Sequence, residues 1–143
     1  MLIATIEIPD GTPLVGRGCF IQSYVCRNLK DIKGESNAKE ISDGLPFLEY
    51  ELHRILVNKL KVKSMNAIFG LKICISIGEK MLIAVATGTA VFLSPLPSPP
   101  LPKLVSNRST DSVKIMELQK KLHDTIKANE GIYQVKPVIV SIL

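Results

Sequence analysis

Asn66-Ala-Ile-Phe-Gly-Leu-Lys-Ile-Cys-Ile-Ser-Ile77, then Gly78-Glu79, then Lys80-Met-Leu-Ile-Ala-Val-Ala-Thr-Gly-Thr-Ala-Val-Phe-Leu93, is the stretch on which the fold turns. In its first half Phe69, Leu71, Ile73, Ile75 and Ile77 share parity, and side chains two apart on an extended chain point the same way. The spacing predicts a half-buried strand with those five residues on one face. Gly78-Glu79 then reads as the centre of a two-residue type II′ turn, so the second half folds back as a hairpin partner. That partner sets Met81, Ile83, Val85 and Val91 on one parity and Leu82, Ala84, Ala86, Ala90 and Phe92 on the other. Both of its faces call for burial. One helix covers one face of a sheet, so the second face is expected to meet a partner.

Working outward, Leu48, Leu52, Ile55 and Leu56 recur at helical spacing, which predicts a helix over Pro46–Lys63 with Pro46 in its first turn. Lys59, Lys61 and Lys63 gather where cations offset the negative end of the helix dipole. Further upstream, Leu14–Arg27 is β-branched and aromatic and reads as a strand bent near Gly16 and Gly18. Asn28–Gly44 is polar and reads as a surface excursion with at most one helical turn, where Asn37 and Glu40 have capping-box spacing. Leu2–Ile8 reads as a short edge strand or loosely pairing linker, closed by Pro9-Asp10-Gly11. Downstream, Pro95, Pro97, Pro99, Pro100 and Pro102 make a stiff spacer. Ile115, Leu118, Leu122 and Ile126 then set out a second amphipathic helix over about Thr110–Asn129, with Gly131 at its C′ position. Val138–Leu143 is apolar to the last residue, which suggests a fragment or an unusual splice product. The expected architecture is therefore α+β. It comprises a β-α-β-β domain over 1–93 with an antiparallel sheet and one packed helix, a Pro-rich linker over 94–109, and a C-terminal helix and tail over 110–143.

Composition narrows the function. The 143 residues are 46% hydrophobic, 5% aromatic and free of Trp, with a mean hydropathy of +0.25. Such a chain is too apolar to be disordered. A net charge of +5 without a basic face interleaved with aromatics argues against nucleic acid. Residues 81–102 carry no charge, but the apolar part stops at Leu93, short of the roughly 20 residues of a membrane-spanning helix. Glu7 interrupts the N-terminal apolar run, so no secretory signal is expected and the chain reads as cytoplasmic.

The chemistry-bearing residues are scattered. Cys19, Cys26 and Cys74 have neither disulfide nor zinc spacing and read as small buried hydrophobes. His53 and His123 fall on separate helices. Glu49 and Glu51 are two apart, on different helix faces. The glycines at 11, 16 and 18 lack the Lys-Ser/Thr of a phosphate loop. No catalytic, cofactor-binding or metal-ligating residue is assigned, and no enzyme is expected. Arg54, Lys59, Lys61 and Lys63 form a basic stretch with a weak affinity for anionic lipid as one reading and a solvated helix end as the other. The proline run contains PxxP spacings suited to SH3 or WW domains, and Ser94-Pro95 and Ser98-Pro99 are candidate proline-directed phosphorylation sites.

The order strand, helix, hairpin, with Asn66-Ala-Ile-Phe-Gly-Leu-Lys-Ile leaving the helix and Gly88-Thr-Ala-Val-Phe-Leu93 closing the hairpin, resembles the YbjQ-like, dodecin-like β-α-β-β unit. Bacterial members of that group associate as rings. Val15-Gly-Arg-Gly-Cys-Phe-Ile-Gln22, Leu45-Pro-Phe-Leu-Glu-Tyr-Glu-Leu-His53, Asn58–Leu71, Gly78-Glu-Lys-Met-Leu82 and Gln119-Lys-Lys-Leu-His-Asp-Thr-Ile126 extend the likeness. They resemble the YbjQ-like region of a family of C2 domain-containing phosphoproteins of insulin-stimulated glucose-transporter trafficking. That resemblance implies a cytoplasmic setting in vesicle delivery and fusion at the plasma membrane, with calcium-dependent phospholipid binding by a C2 domain. Asp10, Asp31, Asp43, Asp111 and Asp124 are isolated, so no calcium ligand is carried over. The expected role is a non-catalytic interaction module that meets protein partners, or a second copy, through the exposed sheet face. The alternative is a free-standing ring-forming binder of a small molecule or metal.

Overall fold

The structure, a computed structural model, describes residues 1–30 and 34–135. Its elements are β1 (Leu2–Ile3), β2 (Leu14–Asn28), α1 (Glu35–Val62), β3 (Ala67–Ile77), β4 (Met81–Leu93), a 3₁₀ turn (Ser109–Asp111) and α2 (Ser112–Ile132). The four strands form one sheet in the order β1-β3-β4-β2. The expected α+β architecture is present, with one difference in the sheet. β3-β4 and β4-β2 are antiparallel, whereas β1 pairs parallel to β3, so the sheet is mixed. The N-terminal run does pair loosely, since beyond the two residues of β1 it holds β3 only through isolated bonds such as Gly70 N–H to the Ile6 carbonyl at 2.7 Å.

β4 lies between β3 and β2 in the sheet. Leu82, Ala84, Ala86, Ala90 and Phe92 face α1 and are buried with Leu48, Leu52, Leu56 and Leu60 from the helix and Ile21 from β2. The small side chains let the helix lie close to the sheet, and four leucines at i, i+4, i+8 and i+12 supply the opposing stripe. Val91 and Leu93, on the other parity, are covered by Ala4, Ile8 and Leu96 in a second, smaller cluster with Ala67 and Phe69.

Several local expectations are corrected. The first helix begins at Glu35, not Pro46, and runs 28 residues with Pro46 in its interior. The polar stretch before it is therefore mostly helix, where Leu45 and Ile41, half-buried against the main core, carry the apolar stripe back from Leu48 one turn at a time. Asn37 and Glu40 form no capping box; the N-cap is Gly34, and no side chain bonds to it. The hairpin turn centres on Glu79-Lys80, since Gly78 N–H donates to the Met81 carbonyl at 2.8 Å. Neither central residue has positive φ, so the type II′ form is not used. Gly131 lies within α2, and the left-handed position after that helix is Gln134 at φ 57°.

The two helix ends share a design. After α1, Ser64 at φ 56° lets its N–H reach the Lys61 carbonyl and the Met65 N–H reach the Leu60 carbonyl at 3.1 Å. After α2, Gln134 N–H reaches Gly131 and Val135 N–H reaches Glu130 at 3.0 Å. Both are Schellman closures, and in both the residue that follows the left-handed position, Met65 or Val135, is buried in the main core. The apolar tail over 138–143 lies outside the described residues.

Candidate interaction surface

Register decides which side chains reach solvent. Residues directly opposite one another on antiparallel strands share a face. Phe20, Gln22, Tyr24 and Cys26 of β2 pair with Thr89, Thr87, Val85 and Ile83 of β4, while Lys72, Cys74 and Ser76 of β3 pair with Thr87, Val85 and Ile83. All of these lie on the side away from α1. Phe20 is 66% exposed and Tyr24 64%, with Met81 and Ile83 open beside them. Among the described residues the second face of the hairpin is thus left open along its outer half.

The expectation that Phe69 and the following isoleucines share one face is overturned. Gly70 stands at φ 63° and the register slips between Phe69 and Lys72, two residues of β3 facing the single Gly88 of β4. This bulge sends Phe69 to the smaller cluster and Leu71 to the main core. Ile73, Ile75 and Ile77 therefore pair with Ala86, Ala84 and Leu82 on the helix side. They are exposed even so, because α1 lies across β2 and β4 and leaves the end of β3 beyond its reach. The strand is not half-buried there. From Lys72 to Ile77 it is an edge with no described neighbour on its outer side.

The cysteines also depart from expectation. Cys19 is half-buried, with its thiol 3.8 Å from the Met65 sulfur, but Cys26 and Cys74 are exposed on the open face. Sequence parity alone identified that face as apolar without showing how far it would be covered.

The remaining candidates stay apart. His53 bonds through Nδ1 with the Glu49 carbonyl of its own helix at 2.8 Å, and His123 lines a cleft against the proline run. Glu51 pairs with Arg54, whose hydrogen bond holds the exposed carboxyl below its ordinary range. Among the described residues no group of three or more His, Cys, Asp or Glu is placed to hold a metal ion. Most of the basic stretch is engaged internally. Lys59 Nζ donates to the Gln22 carbonyl at 2.7 Å, and Lys63 Nζ donates to Tyr133 Oη at 3.1 Å while lying 5.0 Å from that ring's centre. The Tyr133 bond raises the Lys63 pKa.

Two positions escaped sequence reasoning. Asn66 is buried and acts as a bracket, its Oδ1 accepting from Leu93 N–H at 2.7 Å and its Nδ2 donating to the Leu93 carbonyl at 2.9 Å and the Leu96 carbonyl at 3.2 Å. Gly16, at φ 73°, is the dock for the end of α2, where Arg17 N–H donates to the Tyr133 carbonyl at 2.8 Å. Its glycine was visible as a bend, but its partner 117 positions away along the sequence was not.

A helix laid on one face of a mixed four-stranded sheet is an α+β fold of the YbjQ-like kind. The model of the family described as C2 domain-containing protein 5, YbjQ-like domain, matches residues 1–99, and the chain belongs to that family. Over 141 residues, 96% of its length, it is 45% identical to C2 domain-containing protein 5 of Xenopus tropicalis. Over 144 aligned residues, covering 99% of the chain, it is 42% identical to C2 domain-containing protein 5 of Homo sapiens. The chain spans 14% of the length of these relatives. A crystal structure of a protein of unknown function of the DUF74 family from Pediococcus pentosaceus superposes with a TM-score of 0.51 at 19% identity, covering 65% of this chain and 97% of that one. That similarity shows a shared fold.

Proposed function

We propose that the chain is a non-catalytic interaction module of a cytoplasmic protein acting in vesicle trafficking and fusion at the plasma membrane, in the setting of insulin-stimulated glucose transport. The observation that carries this reading is the sheet face left open by the described residues, where Phe20 and Tyr24 of β2 and Met81 and Ile83 of β4 are exposed. Aromatic and aliphatic exposure interleaved with polar side chains such as Gln22, Thr87 and Lys72 marks a protein contact rather than a reaction centre. Membership of the C2 domain-containing protein 5 family supports the trafficking context. Calcium-dependent phospholipid binding belongs, in this reading, to a C2 domain and not to these residues.

The test is proximity labelling in insulin-responsive cells with the tagged chain and a Phe20→Glu/Tyr24→Glu variant. The wild-type chain should label vesicle-associated proteins, and the variant should lose most of that set while retaining its melting temperature. An identical set for both, or a set without vesicle proteins, rejects the reading. Liposome flotation of the isolated chain should show no calcium-dependent binding.

A further inference from the structure

The sequence offers two Ser-Pro pairs in the segment that leaves β4, and the structure treats them differently. Ser94 closes the turn after the strand. Its N–H donates to the Pro13 carbonyl at 3.1 Å, and its hydroxyl faces the same oxygen at 3.5 Å. Ser98 lies in neither helix nor strand and is exposed, and its hydroxyl has no hydrogen-bond partner among the described residues. A kinase must wrap its cleft around an accessible, extended segment, so the free hydroxyl is the better acceptor.

The surroundings of Ser98 point the same way. It sits on a cavity of about 160 Å³ whose other walls include Lys61 from the last turn of α1, and His123, Lys127 and Glu130 from α2. Neither lysine takes part in a salt bridge among the described residues. The carboxylate in the cleft, Glu130, already accepts a hydrogen bond from Ser64 Oγ at 3.2 Å. Two cations facing one occupied carboxylate leave the cleft positive, and a phosphoserine brings a charge of about −1.5 to −2 with three acceptor oxygens.

We propose that Ser98 is a phosphorylation site for a proline-directed kinase, and that its phosphate, held by Lys61 and Lys127, clamps α2 and the proline run to the body of the domain. In the modifying step Ser98 Oγ attacks the γ-phosphorus of ATP. The Oγ–P bond forms, the bond from that phosphorus to the β,γ-bridging oxygen breaks, ADP leaves and the hydroxyl proton passes to the kinase's base. The clamp follows from where the lysines stand, one on each helix, with the phosphate between them. It adds to a dock that already exists two residues beyond Lys127 on α2, where Asn129 Nδ2 donates to the Val62 carbonyl at 3.0 Å. Charge-assisted bonds to both lysines are the strong kind.

Two measurements on the full chain test this. Incubation with ATP and a mitogen-activated protein kinase, followed by site mapping by mass spectrometry, should give labelling at Ser98 that exceeds Ser94 by about tenfold, because the bond from Ser94 N–H to the Pro13 carbonyl must open before a kinase takes up that segment. Equal labelling, labelling mainly at Ser94, or none at Ser98 overturns the site. Independently, the chain with phosphoserine installed at 98 during translation should exchange the amide hydrogens of Gln119 to Lys127 about tenfold more slowly than the unmodified chain. A Lys61→Gln/Lys127→Gln variant should lose that protection, and the exposed single change Lys127→Gln should lose part of it. Unchanged or faster exchange, or protection that survives the double change, overturns the clamp.

Discussion

A methyl group at position 16 would collide with the Tyr133 carbonyl oxygen and lie 2.9 Å from that of Gln134. At φ 73° any side chain is strained as well. Gly16→Ala should therefore cost at least about 2 kcal/mol and loosen the end of α2, read as a lower denaturation midpoint. Gly11 provides the control, because its φ is 78° and nothing lies within 4 Å of where its Cβ would be. Gly11→Ala should cost only the backbone strain, about 1 kcal/mol. Asn66 works by a different route. Its removal strands the buried Leu93 N–H, so Asn66→Ala should cost about 2–4 kcal/mol by the same measurement. At Lys63 the hydrogen bond to Tyr133 raises the folded-state pKa above the ordinary lysine value. The folded state then binds the proton more tightly than the unfolded one. The resulting stabilisation is complete below the unfolded pKa and fades as pH rises through the raised folded value. Tyr133→Phe should remove that loss of stability at alkaline pH while leaving the ring in place over the ammonium, as chemical denaturation across pH 8 to 11.5 will show.

At the scale of elements, the helices and strands that pack on one stripe were legible in the sequence, and those shaped by a single backbone device were not. Leu48, Leu52 and Leu56 announce α1 because a 3.6-residue period has no other use. The extension back to Glu35 was hidden by Gly44 and Pro46, which read as a boundary. Gly44 is buried, with the Arg27 guanidinium 3.5 Å from where a Cβ would stand, so the glycine gives an arginine room to lie on the helix. Pro46 is exposed and leaves the Ser42 carbonyl without its helical donor. Nothing in the packing demands it. Pro46→Ala should stabilise the protein by about 1–3 kcal/mol, visible as a raised melting temperature. The bulge at Gly70 was unreadable for a related reason. A strict alternation from Phe69 to Ile77 looks uninterrupted in the sequence, and only the extra residue opposite Gly88 shows that its first member faces the other way. Gly88 itself is required there, since a Cβ would press to 2.8 Å from Ile68 Cγ2.

At the scale of the whole molecule, the sheet exposes apolar side chains on both of its sides: Phe20, Tyr24, Met81 and Ile83 on the open face, and Ile73, Ile75 and Ile77 on the helix side of the β3 edge. The sequence carried the first of these in the two-sided parity of β4, but not the second. Whether Ile75 is buried depends on where a helix of fixed width crosses a sheet, which no local pattern encodes. An edge with no described neighbour and exposed isoleucines on one of its faces invites pairing with another strand, and natural proteins place a lysine on such edges to prevent it. β3 does carry Lys72, but on the opposite face from the isoleucines. Ile75→Lys supplies the missing charge at a position 40% exposed, so folding stability should shift by no more than about 0.5 kcal/mol. Self-association or aggregation at high concentration should fall sharply, as sedimentation velocity over a concentration series will show. Phe20→Glu on the open face should leave edge pairing intact. If Phe20→Glu suppresses association and Ile75→Lys does not, contact between copies runs through the face of the sheet and the edge is inert.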